Sequence, residues 1–426
     1  MASEPIKMRL GRRSDITIPR TPHLPRADNT PTKIPLTTWR KHSADLQWYT
    51  NITVGTPPQT FTVLIDTGSA DLLLMASNCT NCGTSHSLFN SNTSTTFTTL
   101  PGDTSISASF GTQGDTVPTT DISTLHANIA LDTVTLSNLT VQQLPLILVD
   151  QAPSSLLAQP IDGILGFSPL NLTHLTTSPT GDGTTFFWSL FLSGAIPSPI
   201  FSLTLDSSGG ELTLGGTPTS ASEIQYVDVN VDILPLAKEW FIDTSSAFIG
   251  DKLVSSAPGL ALLDSGTAYI LTPNNGTAAA LYAAISPDIR QIDPAGAWGA
   301  SCDVMDGIKD DVHFTIGLGD QAKNLTLPRG SFNLGEYPGM QGICQGVFVN
   351  TVKEAEIEDP MGLGRVAWTF GSPLMKGYVN IFDQGDVGRL RYGFAKVERE
   401  EEKESMGVGL GVDWRVLGAV MVIFAL

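Results

Sequence analysis

The chain has 426 residues, of which 41% are hydrophobic, and its mean hydropathy is +0.08. These values exclude a disordered protein and allow two or three domains with substantial cores. The net charge of -18 is uneven, because residues 1–41 hold nine Lys or Arg against three acids and the remainder holds 15 against 39. The acidic body is expected to repel nucleic acid, and its carboxylates suit an acidic environment, although solubility alone explains them equally well.

The first 41 residues are basic and rich in proline, with dibasic pairs at residues 12–13 and 40–41 and no periodic apolar pattern. We expect this leader to precede the folded body, with strands beginning at about residue 42. A basic leader before an acidic body is typical of an inhibitory propeptide, and the alternative is a tail without an inhibitory role. It lacks the apolar core of a signal peptide, which conflicts with the secretory features below and suggests an incomplete or wrongly assigned start.

The first strands lead to an acid. Residues 48–54 and 61–65 predict two strands joined by a Gly-Thr-Pro-Pro turn, and the second ends in Asp-Thr-Gly-Ser at residues 66–69. An apolar run at residues 260–263 ends in Asp-Ser-Gly-Thr at residues 264–267, so the two acids are 198 positions apart. One acid-hydroxyl-glycine triplet is usually a solvated turn. Two that follow buried strands indicate acids that are hydrogen-bonded or share a proton.

Each acid loop is followed by an apolar strand with a glycine, at residues 161–167 and 368–372. This order indicates an internal duplication. Two carboxyl groups at close range cannot both ionise easily, so one keeps a proton while the other acts as a base. In these motifs and in the opening hairpin the chain resembles the pepsin-like aspartic proteases, over about residues 42–397.

The resemblance implies an all-β dominated, bilobal fold with two pseudo-twofold related β lobes and a cleft between them. The many short Val, Ile, Leu and Thr runs between Gly and Pro residues agree with a mainly β chain. Residues 201–205 and 210–216 are interpreted as strands between the lobes, and residues 379–383 and 390–395 as strands that close the second lobe. The predicted segments are a leader (1–41), an N-terminal lobe (42–205), a C-terminal lobe (206–397) and an acidic linker with an apolar tail (398–426).

The resemblance also implies an aspartic endopeptidase that hydrolyses peptide bonds of proteins at acidic pH. Asp66 and Asp264 would activate one water between them, without a covalent adduct, a metal or a cofactor. The family further implies that hydroxyl residues cross-link the acid loops and bond the outer carboxylate oxygens, while glycines let the backbone approach the acids. The residues in these supporting roles are Thr67, Gly68, Ser69, Ser265, Gly266 and Thr267.

Residues 107–114 resemble the flap that folds over the substrate in this family, and they include Phe110, Gly111 and Thr112. The family normally has tyrosine in place of Phe110 and tryptophan in place of Leu73. In relatives these two side chains hydrogen-bond each other, so their joint loss leaves no orphaned polar group. We therefore expect an active but slow enzyme.

The substrate pocket implied by the resemblance is apolar, which indicates an apolar residue on the N-terminal side of the scissile bond, the P1 residue. Relatives that accept lysine tend to have an acid where this chain has Thr112. The implied pocket residues are Leu64, Phe110, Ile161, Ile164 and Leu262.

The four cysteines pair most simply as Cys79–Cys82 and Cys302–Cys344, and the family also has a small disulfide at the first position. A zinc site would require a second close pair or histidines. Disulfides indicate the secretory route. Sequons also support it, although chance produces several in a chain this rich in Thr and Ser. The sequons are at Asn51, Asn78, Asn92, Asn138, Asn171, Asn275 and Asn324.

The last eleven residues, 416–426, are apolar and follow a charged run at residues 398–404. They are too few to span a bilayer, which needs roughly 20 residues. With small residues at Ser405, Gly407 and Gly409 they are typical of a GPI-anchor signal, and the alternative is an element packed on the body. We expect a monomeric glycoprotein outside the cell or on its surface, rather than in the vacuole, with protein or peptide substrates and no nucleic acid partner.

Other classes explain the sequence less well. The six histidines are scattered, so a serine or cysteine triad has little support. A glycosidase also uses paired carboxylates but does not predict duplicated acid-hydroxyl-glycine loops. A structural glycoprotein of the cell surface leaves the two acids unexplained. The stronger rival is a pepsin-fold protein that binds peptides or proteins with weak or no catalysis, although such relatives often lack an acid, glycine or hydroxyl that this chain retains.

Overall fold

The computed structural model describes residues 30–41, 44–110, 123–169, 184–219, 221, 223–230, 239–256, 259–350, 366–385 and 389–397. Most of the predicted leader, the flap residues Gly111 and Thr112, the sequon at Asn171 and the whole C-terminal tail lie outside these residues.

Strands dominate the described residues and are numbered here in chain order. The strands before residue 220 are β1 (Thr32–Lys41), β2 (Ala44–Val54), β3 (Gln59–Asp66), β4 (Leu72–Met75), β5 (Thr98–Thr99), β6 (Ser105–Phe110), β7 (Ser123–Leu136), β8 (Leu139–Gln151), β9 (Gly163–Gly166), β10 (Ile200–Asp206) and β11 (Gly209–Leu214). The later strands are β12 (Gln225–Asp228), β13 (Phe241–Ile249), β14 (Lys252–Ser255), β15 (Gly259–Asp264), β16 (Ile270–Thr272), β17 (Arg290–Gln291), β18 (Trp298–Ser301), β19 (Val312–Ile316), β20 (Lys323–Leu327), β21 (Asn333–Glu336), β22 (Ile343–Gly346), β23 (Phe348–Asn350), β24 (Val366–Gly371), β25 (Tyr378–Asp383) and β26 (Arg391–Lys396).

The helices are short by comparison. They are α1 (Ser154–Leu157), α2 (Phe186–Leu192), α3 (Asn275–Ile285), α4 (Cys302–Asp306) and α5 (Ser372–Met375), with 3-10 turns at Ser91–Thr93, Gly319–Gln321 and Arg329–Ser331. Side-chain caps begin the two longest, because Thr185 Oγ1 accepts from Trp188 N and Asn274 Oδ1 accepts from Thr277 N. Among the described residues, no helix has the length and apolar character needed to cross a membrane.

The described strands form three sheets. The largest has fourteen strands in the order β12-β26-β25-β10-β11-β1-β2-β3-β9-β4-β8-β7-β5, with β6 also paired to β7. The second has eight strands in the order β20-β19-β13-β15-β24-β16-β23, with β14 paired to β13, and the third has β17-β18-β22-β21. The predicted all-β dominated fold class is confirmed.

A three-strand motif occurs twice and positions both acids. β3 runs parallel to β9, which is antiparallel to β4, and Asp66 at the end of β3 lies opposite Gly166. In the second copy β15 runs parallel to β24, which is antiparallel to β16, and Asp264 lies opposite Gly371. The internal duplication expected from the sequence is therefore present in the strand pairing.

Strand β1 begins ten residues before the expected first strand. It pairs with β11 through residues 32–36 and with β2 through residues 37–41. Ile34 and Leu36 point into the core, whereas the alternating residues Lys33 and Pro35 are exposed. The alternation involves only two apolar residues in a basic, proline-rich context, so it was not recognised. Strands therefore begin ten residues earlier than expected, because residues 32–41 belong to the largest sheet, while the boundary between leader and body at residue 42 stays a prediction.

The strands near the proposed lobe boundary join the two halves of the chain. β10 pairs with β11 on one side and with β25 on the other, where Leu203 lies opposite Asn380. β25 and β26 thus lie in the largest sheet and not in the eight-stranded sheet of the second acid loop. A boundary near residue 205 falls inside β10, and the division of the chain into lobes at that residue stays a prediction.

An aromatic cluster lies where these strands meet. Phe201 stacks on Phe382 with ring centroids 4.8 Å apart, and Trp240 contacts Phe382 edge-on at 5.0 Å. Phe167, which follows β9, lies 5.0 Å from Phe201. All four side chains are fully buried or nearly so. Such aromatic pairs add to the stability of a core beyond the area they bury, so the base beneath the two acid loops is rigidly packed.

Two disulfides are present, Cys79–Cys82 and Cys302–Cys344, in the pairing proposed from the sequence. The second joins α4 to β22 across a separation of 42 residues. Closure of a loop of this length stabilises the fold mainly by restricting the unfolded chain.

Candidate active site

The two predicted acids lie at the ends of buried strands. The last four residues of β3 are all buried, and Asp66 itself is 8% exposed. Asp264 at the end of β15 is 9% exposed. Carboxyl groups this deep need hydrogen-bond partners, since an unpaired buried charge is strongly destabilising. The partners come from the two loops that follow the strands.

Four hydrogen bonds cross between the loops. Thr67 Oγ1 donates to Leu263 O at 2.8 Å and accepts from Ser265 N at 2.9 Å. Reciprocally, Ser265 Oγ donates to Ile65 O at 2.7 Å and accepts from Thr67 N at 3.0 Å. Each hydroxyl is buried and uses its donor and one acceptor site on the opposite loop. The loops are held together by a symmetric four-bond connection between residues far apart in sequence.

Each carboxyl group accepts two hydrogen bonds from its own loop. Asp66 Oδ1 accepts from Gly68 N at 2.9 Å, and its Oδ2 accepts from Ser69 Oγ at 2.5 Å. In the second loop, Asp264 Oδ1 accepts from Gly266 N at 2.8 Å and its Oδ2 accepts from Thr267 Oγ1 at 2.6 Å. The pattern is the same in both loops, because each Oδ1 accepts from a glycine N–H and each Oδ2 accepts from a hydroxyl. The two carboxyl groups are therefore held in matching orientations.

The two glycines leave space for the opposite acid. A Cβ atom at Gly68 would lie 2.6 Å from Asp264 Cγ. A Cβ atom at Gly266 would lie 2.6 Å from Asp66 Oδ1 and 3.2 Å from Asp264 Oδ1. Both carboxyl groups therefore face the same small space, and any side chain larger than hydrogen at either glycine would push one of them away.

Burial and mutual charge determine the protonation of the pair. The pKa of Asp264 is raised well above its usual value, first because the carboxyl is buried and second because Asp66 carries charge beside it. Hydrogen bonds from Thr267 and Gly266 oppose this shift, and a hydrogen bond with Asp66 adds to it. Asp264 consequently keeps its proton over a range of pH in which an ordinary aspartate would lose it.

The strands that follow each acid loop brace it from behind. Phe167 N donates to Asp66 O at 2.7 Å, and Ser168 N donates to Ser69 O at 2.7 Å. On the other side, Ser372 N donates to Thr267 O at 2.9 Å. Ser168 Oγ also donates to Thr67 O at 2.7 Å. These bonds fix the backbone of both loops, as expected from the duplicated strands.

The predicted pocket residues are only partly brought together. Leu64, Ile161 and Ile164 are buried in one apolar cluster beside the first acid loop. Leu262 belongs to a separate small cluster with Phe241 and Leu260. Phe110 is the last residue of β6 and pairs with Ser123, but the position of its side chain lies outside the described structure.

Leu73 lies in the same apolar cluster as Leu64 and is 3% exposed. Tryptophan in its place is larger and would have to enter a site that is already filled. Overpacking of a core typically costs ~1–3 kcal/mol. Restoration of the family's residue at this position would therefore disturb the packing unless neighbouring side chains were reduced.

Several residues at the site were not recognised in the sequence. Gln47 is 1% exposed and its Nε2 donates to Gly266 O at 3.1 Å. The indole of Trp240 donates to Phe167 O at 2.9 Å. Glu239, directly before it, has a pKa raised to about 7, first because it is buried and second because of the charge of Asp66. None of these belongs to a local motif, because strand register alone brings them to the acids.

We expect Thr67→Val to lower both stability and activity. The change keeps the shape of the side chain but leaves Leu263 O and Ser265 N without their partner inside the protein. Each buried group left unsatisfied costs ~1–3 kcal/mol. Denaturant unfolding of Thr67→Val, Ser265→Ala and the double variant would measure the coupling. Thr135→Val, on a partly exposed hairpin, is the control, and a free energy of unfolding that is no lower in Thr67→Val than in this control would contradict the four-bond connection.

Comparisons with known proteins agree with this geometry. The model of the eukaryotic aspartyl protease family matches residues 47–397. The chain is 28% identical to an aspartic protease of Phaffia rhodozyma over 358 residues, which cover 82% of this chain and 76% of the relative. It is 28% identical to pepsin A of Suncus murinus over 362 residues (83% and 81%) and 29% identical to rhizopuspepsin-3 of Rhizopus niveus over 280 residues (64% of each).

The family match covers most of the chain, so the chain belongs to the eukaryotic aspartyl proteases. It is an aspartic endopeptidase, as predicted from the duplicated acid loops.

Proposed function

We propose that Asp66 and Asp264 are the catalytic residues and that they hydrolyse peptide bonds of proteins at acidic pH. The observation that carries this proposal is the pair of buried carboxyl groups facing one space, fixed by the reciprocal bonds of Thr67 and Ser265. Pre-organised groups of this kind place acid, base and reactant together before reaction, which lowers the entropic part of the barrier.

In the proposed mechanism the pair supplies one base and one acid. Asp66 takes a proton from a water held between the carboxyl groups, and Asp264, which keeps its proton, hydrogen-bonds the carbonyl oxygen of the peptide. Attack of the water then gives a tetrahedral intermediate without a covalent bond to the enzyme. Proton sharing by paired aspartates is already established for proteases of this kind and is not specific to this chain.

The requirement for acidic pH follows from the need for one proton shared between the two carboxyl groups. Loss of that proton at higher pH removes the hydrogen-bond donor to the substrate carbonyl. Ionisation of both carboxyl groups at close range is also costly, so the transition occurs above the usual range of an aspartate.

Incubation of the purified protein with a generic protein substrate near pH 4, with and without pepstatin, tests the proposal. Pepstatin-sensitive cleavage supports it. Peptide binding without cleavage under the same conditions would instead favour the binding-only alternative.

We infer that the enzyme prefers an apolar P1 residue. Leu64, Ile161 and Ile164 support this, because they belong to one buried apolar cluster and Leu64 lies two positions before Asp66 in β3. Burial of an apolar substrate side chain there is favourable by roughly 25 cal/mol per Å². The contribution of Phe110 to the same pocket is a proposal from the resemblance.

We propose that the basic residues before β1 act as a propeptide. Their charge is opposite to that of the acidic body, so electrostatic attraction would favour a leader lying on the body at neutral pH. Protonation of carboxylates at lower pH would weaken this attraction. The beginning of β1 at Thr32 moves the proposed end of the leader to about residue 31.

We propose a secreted glycoprotein with a lipid anchor. The exposed side chains of six sequon asparagines support glycosylation, namely Asn51, Asn78, Asn92, Asn138, Asn275 and Asn324. Two disulfides are also consistent with the secretory route.

For the anchor, we expect the residues after about 405–409 to be exchanged for a glycolipid. Release of the protein from membranes by a phosphatidylinositol-specific phospholipase would support this, with a transmembrane protein as the uncleaved control. Detection of Leu426 in the mature protein by mass spectrometry would exclude it.

A further inference from the structure

A third acid, Glu239, is placed beside the two acid loops by the backbone. The next residue, Trp240, is fully buried, and its carbonyl accepts from Leu263 N at 3.1 Å. The indole of Trp240 donates to Phe167 O, and Phe167 N in turn donates to Asp66 O. Glu239 is therefore connected to both loops through one rigid, buried tryptophan.

The strand that follows Trp240 pairs with the strand that carries Asp264. Phe241 in β13 lies opposite Leu262 in β15, and the bond from Leu263 N to Trp240 O continues this antiparallel pairing. Glu239 lies at a bend directly before β13, where Phe241 N donates to its carbonyl oxygen at 2.7 Å.

Glu239 is half-buried, and none of the side-chain hydrogen bonds or ion pairs within the described residues involves its carboxyl group. A carboxyl group whose pKa is raised by desolvation and by a specific neighbouring charge is a candidate functional group. The titratable group that acts on it is Asp66, whose charge contributes to its raised pKa. Lys238, which precedes it in the chain, lies outside the described residues.

We propose that Glu239 is a specificity-determining residue whose carboxylate binds the ammonium or guanidinium group of a Lys or Arg side chain next to the scissile bond. The inference rests on the proposed catalytic role of Asp66 and Asp264, since that role defines where the scissile bond lies.

The position of the apolar surface supports a basic residue beside the apolar one. In an extended peptide, successive side chains point to opposite faces. Leu64, Ile161 and Ile164 come from the first half of the chain, whereas Glu239 comes from the second half and precedes Trp240, whose carbonyl oxygen accepts from Leu263 N. A substrate with its apolar P1 residue against the first half directs the neighbouring side chain to the side of Glu239.

Proton linkage gives this recognition a distinctive pH dependence. Glu239 has a pKa of about 7, so at acidic pH it must release a proton before it pairs with a cation. Below the pKa, the ionised fraction falls about tenfold for each unit by which the pH is lowered. Preference for a basic side chain over a neutral one of the same shape therefore increases as the pH rises.

Paired peptides that differ only in lysine or norleucine test the proposal. In the first pair of peptides, lysine or norleucine directly follows the apolar P1 residue. In a second pair, used for comparison, the varied residue directly precedes the P1 residue. The ratio of kcat/KM for lysine to that for norleucine is measured at about pH 4 and pH 6 for the wild type, Glu239→Gln and Glu239→Asp. Both peptides of a ratio are measured at the same pH, so a loss of overall activity at higher pH lowers both kcat/KM values equally and leaves their ratio unchanged.

We expect the wild-type ratio to rise at least tenfold between the two pH values. At the higher pH it should fall by ~10–100-fold in Glu239→Gln, in line with the loss of a charged hydrogen bond. Glu239→Asp keeps the charge and should retain the pH-dependent rise. Glu223→Gln, the same change at an exposed glutamate, is the control and should behave as the wild type.

The outcomes separate the two proposals. Cleavage of both peptides with a ratio that Glu239→Gln leaves unchanged overturns the role of Glu239 and leaves the catalytic role of Asp66 and Asp264 intact. Absence of cleavage by the wild type at every pH overturns both.

Discussion

Asp66→Asn and Asp264→Asn are each expected to lower kcat/KM by at least ~10²–10⁴-fold, the usual contribution of a positioned general acid or base. Asparagine keeps the size of the side chain and can still accept from the glycine N–H of its own loop. It cannot ionise, and it cannot hold the proton that the pair shares. The variants should therefore remain folded while the chemistry stops.

The measurement is digestion of a protein substrate near pH 4, together with thermal unfolding of each variant. Asp251→Asn, at an exposed turn between β13 and β14, is the matched control and should retain full activity. Pepstatin-sensitive cleavage that persists in either variant at the wild-type rate would show that the assignment of the two acids is wrong.

The acid loops were predictable because their signal is local and repeated. A short apolar strand followed by acid, hydroxyl, glycine and hydroxyl determines its own turn, since Gly68 N and Ser69 Oγ bond the carboxyl group only two and three residues away. The duplication then gave a second strand and a second acid. Only the pairing of loops through Thr67 and Ser265 required knowledge of the family.

The residues that were not predicted depend on contacts between distant parts of the chain. β1 was not recognised because Ile34 and Leu36 alone form its buried face, and its partners are β2 and β11. Gln47 meets Gly266 across a separation of 219 residues. Glu239 reaches the site through its neighbour Trp240, whose carbonyl oxygen accepts from Leu263 N. No local pattern of residue types contains such information, because register is specified by the whole buried face of a sheet.

Stability is expected to fall as the pH rises from about 4.5 to 7. The pKa of Glu239 is 4.5 in a model compound and about 7 in the fold, where burial is the larger cause and the charge of Asp66 the second. Above pH 4.5 the unfolded chain releases this proton while the folded protein keeps it. The unfolded state then binds fewer protons, so the free energy of unfolding decreases with pH until Glu239 ionises in the fold as well.

The size of the effect follows from the width of this interval. Each unit of difference corresponds to about 1.4 kcal/mol, so Glu239 contributes a loss of up to ~3 kcal/mol between its two pKa values. Asp264 acts in the same direction from about pH 3.8 upward, because its pKa is also raised by burial and by Asp66. Asp103 and Asp311 have lowered pKa values, because they accept hydrogen bonds from Ser105 and Arg329, respectively. Both side chains are exposed, so their contribution to stability is small, and it is lost only as the pH falls below the usual range of an aspartate.

Thermal unfolding at intervals between about pH 4 and pH 7 measures this loss in the wild type and in Glu239→Gln. The glutamine variant removes one of the two ionisable groups, so its melting temperature should decline less steeply, and the two curves should diverge mainly above pH 4.5. Glu223→Gln should follow the wild type, since that side chain is exposed. A melting temperature that rises towards neutral pH, or a Glu239→Gln curve parallel to that of the wild type throughout, would contradict the burial of Glu239 beside Asp66. Because the proton on Asp264 is also the one needed for catalysis, the same acidic range would then favour both folding and turnover.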